Sequence, residues 1–240
     1  MKIIELENVS KIYSTSLGKK IAVNKVSFSV EEGSLTVIGG ENGSGKSVLM
    51  NIISGLEKAT EGKVKINSKV GLVFQEADSQ ILGETVEEDV SFGPKNQKKS
   101  KEEIKILVEN ALKEVGLFEK KDFPARFLSG GEKRRLAVAC MLSMNLPVLI
   151  FDEPYANLDF TGVKQVNSLI RKLKEQQKTV IILTHELEKC LGLADKFLVL
   201  FRGDKVFEGS VEEGLKQNLE KWNIHNPIAQ YNKISDLIWE

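Results

Sequence analysis

Long hydrophobic runs are missing from these 240 residues. A membrane-spanning helix needs about eighteen apolar residues in succession, and the longest runs here, such as Val180 to Leu183 and Phe197 to Phe201, are of strand length. The opening Met1-Lys2-Ile3-Ile4-Glu5 also lacks the apolar core of a signal peptide. A cytosolic chain is expected, though one still able to dock on a membrane protein. Cysteine is scarce as well. Cys140 and Cys190 are the only two, far apart in apolar-periodic stretches, which argues against a disulfide framework and for a reducing compartment. There is no excess of charge: 34 Lys+Arg balance 34 Asp+Glu. Bulk electrostatics therefore mark neither a nucleic-acid binder nor a polybasic membrane binder, and any phosphate site must be local. With 41% apolar and 28% charged residues, the chain can bury a core and is not disordered.

What is present reads as alternating strands and helices. Ile4, Leu6, Ala22, Val26, Phe28 and Val30 alternate with period two, predicting short strands over the first thirty residues. Leu35-Thr36-Val37-Ile38 is the continuous run of a strand covered on both faces. A helix is expected over Ser47–Ser54, ended by Gly55, and further strands at Val64–Ile66 and Val70–Phe74. Ile104, Leu107, Val108, Ala111, Leu112 and Val115 recur at helical spacing up to Gly116, and Lys95 to Glu103 reads as a solvated connection into that helix. Another helix should run from near Gly131 to before Pro147. The strand Val148–Phe151, the helix Phe160–Gln177 and the strand Thr179–Leu183 then restore the alternation, which implies a mostly parallel sheet. The helical stretch from about Glu76 to Asn145 interrupts it and reads as an inserted lobe. After Leu215 the pattern weakens, and neither Trp222 nor Trp239 receives a role.

Gly40-Glu41-Asn42-Gly43-Ser44-Gly45-Lys46-Ser47 fits G-x-x-x-x-G-K-[ST], with a strand before and a helix after. Glycines let successive N–H groups turn inward as a nest for phosphate oxygens, and the helix N-terminus adds its positive dipole end. Lys46 supplies a point charge for the β- and γ-phosphates, and the Ser47 hydroxyl is a natural Mg²⁺ ligand. Val148 to Phe151 ends in Asp152-Glu153. A strand tip is where open α/β folds place ligands. Asp152 can hold the metal, while Glu153 can orient and deprotonate an attacking water.

Leu128-Ser129-Gly130-Gly131-Glu132 is similar to the LSGGQ signature of ATP-binding cassette (ABC) ATPases, with Glu132 where Gln is usual. It lies between the phosphate loop and the carboxylate strand, in the order that family uses. Residues 1–215 therefore resemble an ABC ATPase domain, with 216–240 as a tail of unassigned role. The resemblance implies an α/β P-loop NTPase fold: a RecA-like, mostly parallel core over about 1–75 and 146–215, an N-terminal antiparallel β subdomain, and an inserted α-helical subdomain over about 76–145. By the same resemblance Tyr13 stacks on adenine, and Gln75 touches Mg²⁺ and the attacking water. Asp159 in Asn157-Leu158-Asp159 matches the family's D-loop aspartate, and His185 its γ-phosphate switch. ATP would be held by Tyr13, Gly40, Asn42, Gly43, Ser44, Gly45, Lys46, Ser47, Val48 and Asp159. Ser47, Gln75 and Asp152 would hold Mg²⁺, and Glu153, His185 and Gln75 would serve hydrolysis. Glu41 stands where the family commonly has proline, and Val48 where threonine is common.

That mechanism needs two chains head to tail, each ATP lying between one subunit's phosphate loop and Ser129, Gly130 and Gly131 of the other. The stretch Asp78-Ser79-Gln80 and then Thr85-Val86-Glu87-Glu88-Asp89-Val90-Ser91-Phe92-Gly93-Pro94 resembles the energy-coupling-factor (ECF) ATPases. There, two ATPases drive a transmembrane coupling subunit beside a small membrane protein that captures a vitamin or transition-metal ion. The implied place is the cytoplasmic face of the membrane, with no nucleic-acid partner. A conventional ABC importer ATPase remains open, because it shares every catalytic residue. A DNA-repair type would need a long coiled coil before the signature, and a translation type would need two cassettes in one chain. Homodimer and heterodimer, and the cargo, stay undecided.

Overall fold

A computed structural model describes residues 1–16 and 18–230. The chain opens with β1 (Lys2–Thr15), β2 (Gly18–Glu31) and β3 (Leu35–Gly39), then α1 (Lys46–Ile53), β4 (Glu61–Ile66) and β5 (Val70–Val73). Three helices follow: α2 (Val86–Asn96), α3 (Lys101–Glu114) and α4 (Gly130–Ser143). The remaining elements are β6 (Val148–Asp152), α5 (Phe160–Glu175), β7 (Thr179–Thr184), β8 (Lys196–Phe201), β9 (Asp204–Gly209) and α6 (Val211–Leu215).

Two sheets organise these elements. One is antiparallel, in the order β2-β1-β4, and the other has the order β5-β6-β7-β3-β8-β9. In the second sheet all neighbours are parallel except β9, which returns antiparallel beside β8. The chain leaves this sheet after β5, builds α2, α3 and α4, and re-enters it at the adjacent strand β6.

The near-continuous apolar sequence of the inner strands has a specific cause. Side chains alternate faces along a strand, and here both faces are covered. Leu35 and Val37, Leu149 and Phe151, Val180 and Ile182, and Phe197 and Val199 face one core, shared with α3, α4 and α5. Ile38, Val148 and Ile150, Ile181 and Leu183, and Leu198 and Leu200 face a second core, shared with α1 and the antiparallel sheet. Burying one such side chain contributes roughly 1.5–3 kcal/mol.

Most of the expected elements are found within a few residues of their sequence limits, but the short strands expected over the first thirty residues are two long ones, β1 and β2, of 14 residues each. The polar run Lys95 to Glu103 is narrower as a connection than expected. Lys95 and Asn96 finish α2, and Lys101, Glu102 and Glu103 begin α3 behind a Ser100 capping box. Lysine and glutamate are good helix formers on an exposed face, so polarity alone does not mark a loop. Beyond Leu215 the chain is better packed than its pattern suggests. A 3₁₀ turn at Glu220–Trp222 leaves Leu219, Trp222 and Ile224 buried in the first core. Trp239 lies outside the described residues.

Candidate active site

β7 lies between β6 and β3, and the C-terminal ends of these three strands bring the candidate residues together. After β3 the chain turns through the glycine loop into α1. Gly45 has φ 104°, and a Cβ there would come within 2.5 Å of the Ala22 carbonyl oxygen, so only glycine fits. Gly45 also has no side chain to cap α1. The first helical bond runs from Leu49 N–H to the Gly45 carbonyl, leaving the N–H groups of Lys46, Ser47 and Val48 at the open end of the helix dipole. Val48 packs its side chain against the second core, so a phosphate would meet only its N–H. Asn42 and Gly43 are exposed at the loop's crest, and the buried Ser44 hydroxyl has no partner among the described residues.

Lys46 is buried. Its ammonium donates to the Gly40 carbonyl at 2.7 Å and the Glu41 carbonyl at 3.1 Å, with Glu153 Oε1 at 3.7 Å. Burial lowers its pKa, opposed by Glu153 and Asp152. On the tip of β6, Asp152 Oδ2 accepts from the Ser47 hydroxyl at 3.2 Å, while its buried Oδ1 has no partner among the described residues. Burial raises this carboxyl. A partnerless carboxylate oxygen beside a serine hydroxyl is a donor set that fits a hard divalent cation such as Mg²⁺, which takes few protein ligands when it binds with phosphates.

Glu153 is only 5% exposed and has φ 47°, the left-handed region, directly after the strand. Its Oε1 lies 3.0 Å from His185 Nδ1. Its Oε2 accepts from the Thr184 hydroxyl at 2.9 Å and from His185 N–H at 3.3 Å. Thr184 was missed in the sequence, because its role depends on β6 and β7 being neighbours.

Other expected residues are elsewhere. Tyr13 sits on β1, its hydroxyl donating to Glu57 at 2.8 Å, with the Lys11 ammonium 5.2 Å from its ring centre. Burial and then Glu57 push its phenol up to about 12. Lys11 also pairs with Glu57 at 2.9 Å and holds that carboxyl below its ordinary value. Gln75 is exposed and lines a cavity of about 450 Å³ with Gly130, Gly131, Arg134 and Asn157. Among the described residues no hydrogen bond joins Gln75 to Ser47 or Asp152. The loop carrying Gln75 is held by Gln80, which accepts from Phe74 N–H at 2.8 Å and donates to the Leu72 carbonyl at 2.9 Å. Asp89 fastens the next turn, accepting from Leu82 and Gly83 N–H at 2.7 and 2.8 Å. Asp159 caps α5 by accepting from Gly162 N–H at 2.7 Å.

Ser129 caps α4 through a capping box: Glu132 N–H donates to its hydroxyl at 3.3 Å, and Ser129 N–H donates to Glu132 at 2.9 Å. Lys120 pairs with Glu132 at 2.5 Å, and with the Ser129 N–H it lowers that carboxyl to about 2. Gly130 and Gly131 follow without positive φ, and a Cβ on either would meet nothing within 4 Å among the described residues.

The family model described as ABC transporter matches residues 23–156. The energy-coupling factor transporter ATP-binding protein EcfA1 of Mycoplasma mobile is 40% identical over 227 residues, covering 89% of this chain and 82% of that protein. The structure of cbiO1 from Clostridium perfringens, described as part of the ABC transporter complex cbiONQ, superposes with a TM-score of 0.80 at 32% identity, covering 92% of this chain and 94% of that one. A dimeric post-hydrolysis structure of the ATP-binding cassette MJ0796 bound to ADP and Pi gives 0.79 at 30% identity, covering 87% of this chain and 98% of that one.

Proposed function

Because the chain belongs to the ABC transporter family and is an ATP-hydrolysing subunit of a transporter, we propose that it powers an ECF-type importer of a vitamin or transition-metal ion. In this reading two ATPase chains, this one with a copy or a paralogue, meet head to tail. They sit on the cytoplasmic face of the membrane, docked on a transmembrane coupling subunit beside a small substrate-capture protein. Among the described residues no helix is long and apolar enough to cross a membrane. The capture and passage of the cargo are therefore assigned to the partners.

The residues divide the reaction as follows. Tyr13 offers its ring to adenine, and Asp159 is a nucleotide contact. Gly40, Asn42, Gly43, Ser44, Gly45 and Val48 form the cradle for the triphosphate, and Lys46 exchanges its carbonyl partners for β- and γ-phosphate oxygens. Ser47 and Asp152, with Gln75 as the third ligand, would hold Mg²⁺, which would offset the charge of the triphosphate. Glu153 accepts the proton of the attacking water, and His185, already against Glu153, reaches the γ-phosphate. Ser129, Gly130 and Gly131 cover the partner's γ-phosphate at the N-terminus of α4.

One observation carries the two-chain reading. Gly130 and Gly131 need no special backbone conformation and leave open space where a Cβ would stand, so this chain's own packing does not demand glycine at either place. Two bare peptide groups at an exposed helix start suit close approach by something outside the chain. ATP then binds as a bridge, and hydrolysis removes the contact that favoured the closed state.

The test is to tag the protein, purify it from detergent-solubilised native membranes and identify every co-eluting chain by mass spectrometry. One coupling subunit with a small capture protein is the expected result. Two conventional permease chains would overturn the ECF reading in favour of an ordinary importer.

A further inference from the structure

Among the described residues, the phosphate loop has one side-chain hydrogen bond to the segment that follows α6. Glu41 Oε2 accepts from the Asn223 side-chain amide at 2.7 Å, across 182 residues of sequence. Glu41 is the position where the loop departs from the family's common proline. A flexible glutamate replaces a rigid residue in a loop whose shape decides how its N–H groups meet phosphate.

Asn223 is well fixed for an exposed residue. It follows the Glu220–Trp222 turn with φ 56°, a left-handed conformation that asparagine tolerates. Its N–H donates to the Glu220 carbonyl at 2.9 Å, and the next N–H, of Ile224, returns to the Leu219 carbonyl at 3.2 Å. Leu219, Trp222 and Ile224 are 1%, 8% and 4% exposed, so buried side chains anchor the turn on both sides of Asn223. The amide is thus presented from a rigid support. At the other end, the Glu41 carbonyl accepts from Ser44 N–H at 3.2 Å and from the Lys46 ammonium at 3.1 Å. Holding the Glu41 side chain therefore holds the peptide on which Lys46 waits.

We propose that Asn223 is a positioning residue for ATP: through Glu41 it sets the phosphate loop and fixes where that loop's negative charge sits. The inference rests on the loop binding ATP, as in the function proposed above. The contact does not involve the attacking water, so its loss should weaken ground state and transition state alike and appear in KM rather than kcat.

The experiment uses the purified full chain, with binding of a fluorescent ATP analogue and steady-state ATPase kinetics as readouts. Asn223→Asp sets two carboxylates against each other and should weaken nucleotide binding about tenfold, the hydrogen bond and the like-charge contact acting together. Glu41→Gln keeps an acceptor for Asn223 and should bind at least as tightly as the parent. The double variant Glu41→Gln/Asn223→Asp restores the bond with donor and acceptor exchanged, and should return binding to within about twofold of the parent. A role only in folding the C-terminal segment would not be rescued by this exchange. Parent-like binding by Asn223→Asp, or a double variant as weak as the single one, overturns the proposal. Failure of the unaltered chain to bind the analogue would instead overturn the assigned function.

Discussion

The Thr184 hydroxyl donates to Glu153 Oε2 at 2.9 Å, from the last residue of β7 to the first residue past β6. This bond settles the direction of a carboxylate that leaves its strand in a left-handed conformation. Its other oxygen is left to the His185 ring, 3.0 Å away, with the Lys46 ammonium at 3.7 Å. The proton acceptor assigned to hydrolysis is therefore oriented before any nucleotide arrives.

Glu153→Gln should retain ATP binding and lose turnover by about 10²–10⁴-fold, because an amide cannot accept the water's proton. Phosphate release measures the loss, and size-exclusion chromatography with ATP should show a trapped two-chain species. Near-normal hydrolysis would remove Glu153 from its role.

Thr184→Val removes the donor while nearly keeping the shape. With Glu153 Oε2 left to a single N–H at 3.3 Å, kcat should fall about tenfold with little change in KM, whereas Thr184→Ser should stay close to the parent. Equal losses in both variants would mean that packing, not the hydroxyl, is what matters.

Ser129→Arg puts a long side chain at the exposed start of α4. Loss of the cap should cost about 1 kcal/mol of stability, measurable by denaturant titration, and the variant's own phosphate loop should still bind ATP. Turnover should nevertheless vanish, because the partner's γ-phosphate is blocked. A folded Ser129→Arg chain that hydrolyses ATP at the parent rate would rule out the shared site.

Glu132 gives a pH test. Lys120 first, and the Ser129 N–H second, lower its carboxyl from 4.5 to about 2 in the folded chain. A group lowered on folding binds its proton more readily when unfolded. Its stabilisation is thus fully present above about 4.5 and lost as pH falls through about 2. Thermal midpoints of the parent and of Glu132→Gln, measured across this window, should converge at the acid end. A constant difference would show that ionisation is not involved.

Contiguity decided how much could be read in advance. The phosphate loop, the Asp152-Glu153 tip and the Ser129-Gly130-Gly131 helix start are each continuous in sequence and flanked by strongly patterned elements, so their local structure was legible. Contacts made by strand neighbours were not. Thr184 meets Glu153 only because β6 and β7 adjoin, and Tyr13 meets Glu57 only because β1 passes the loop after α1. The segment from Leu219 to Ile224 was also obscure, since its three buried side chains follow neither the strand nor the helix period. Gln80 and Asp89 were visible as motif letters, but their work of bracing the loop beyond β5 needed coordinates.

The alternation of inner-strand side chains between two cores has a consequence for how the molecule comes apart. Each of β3, β6, β7 and β8 contributes one face to the core beneath the helical insertion and the other to the core beneath the antiparallel sheet. Neither side can melt without exposing the back of strands that the other side needs. The amides of these four strands should therefore exchange with solvent only through global opening, as one cooperative unit. Heat should remove both halves in a single transition.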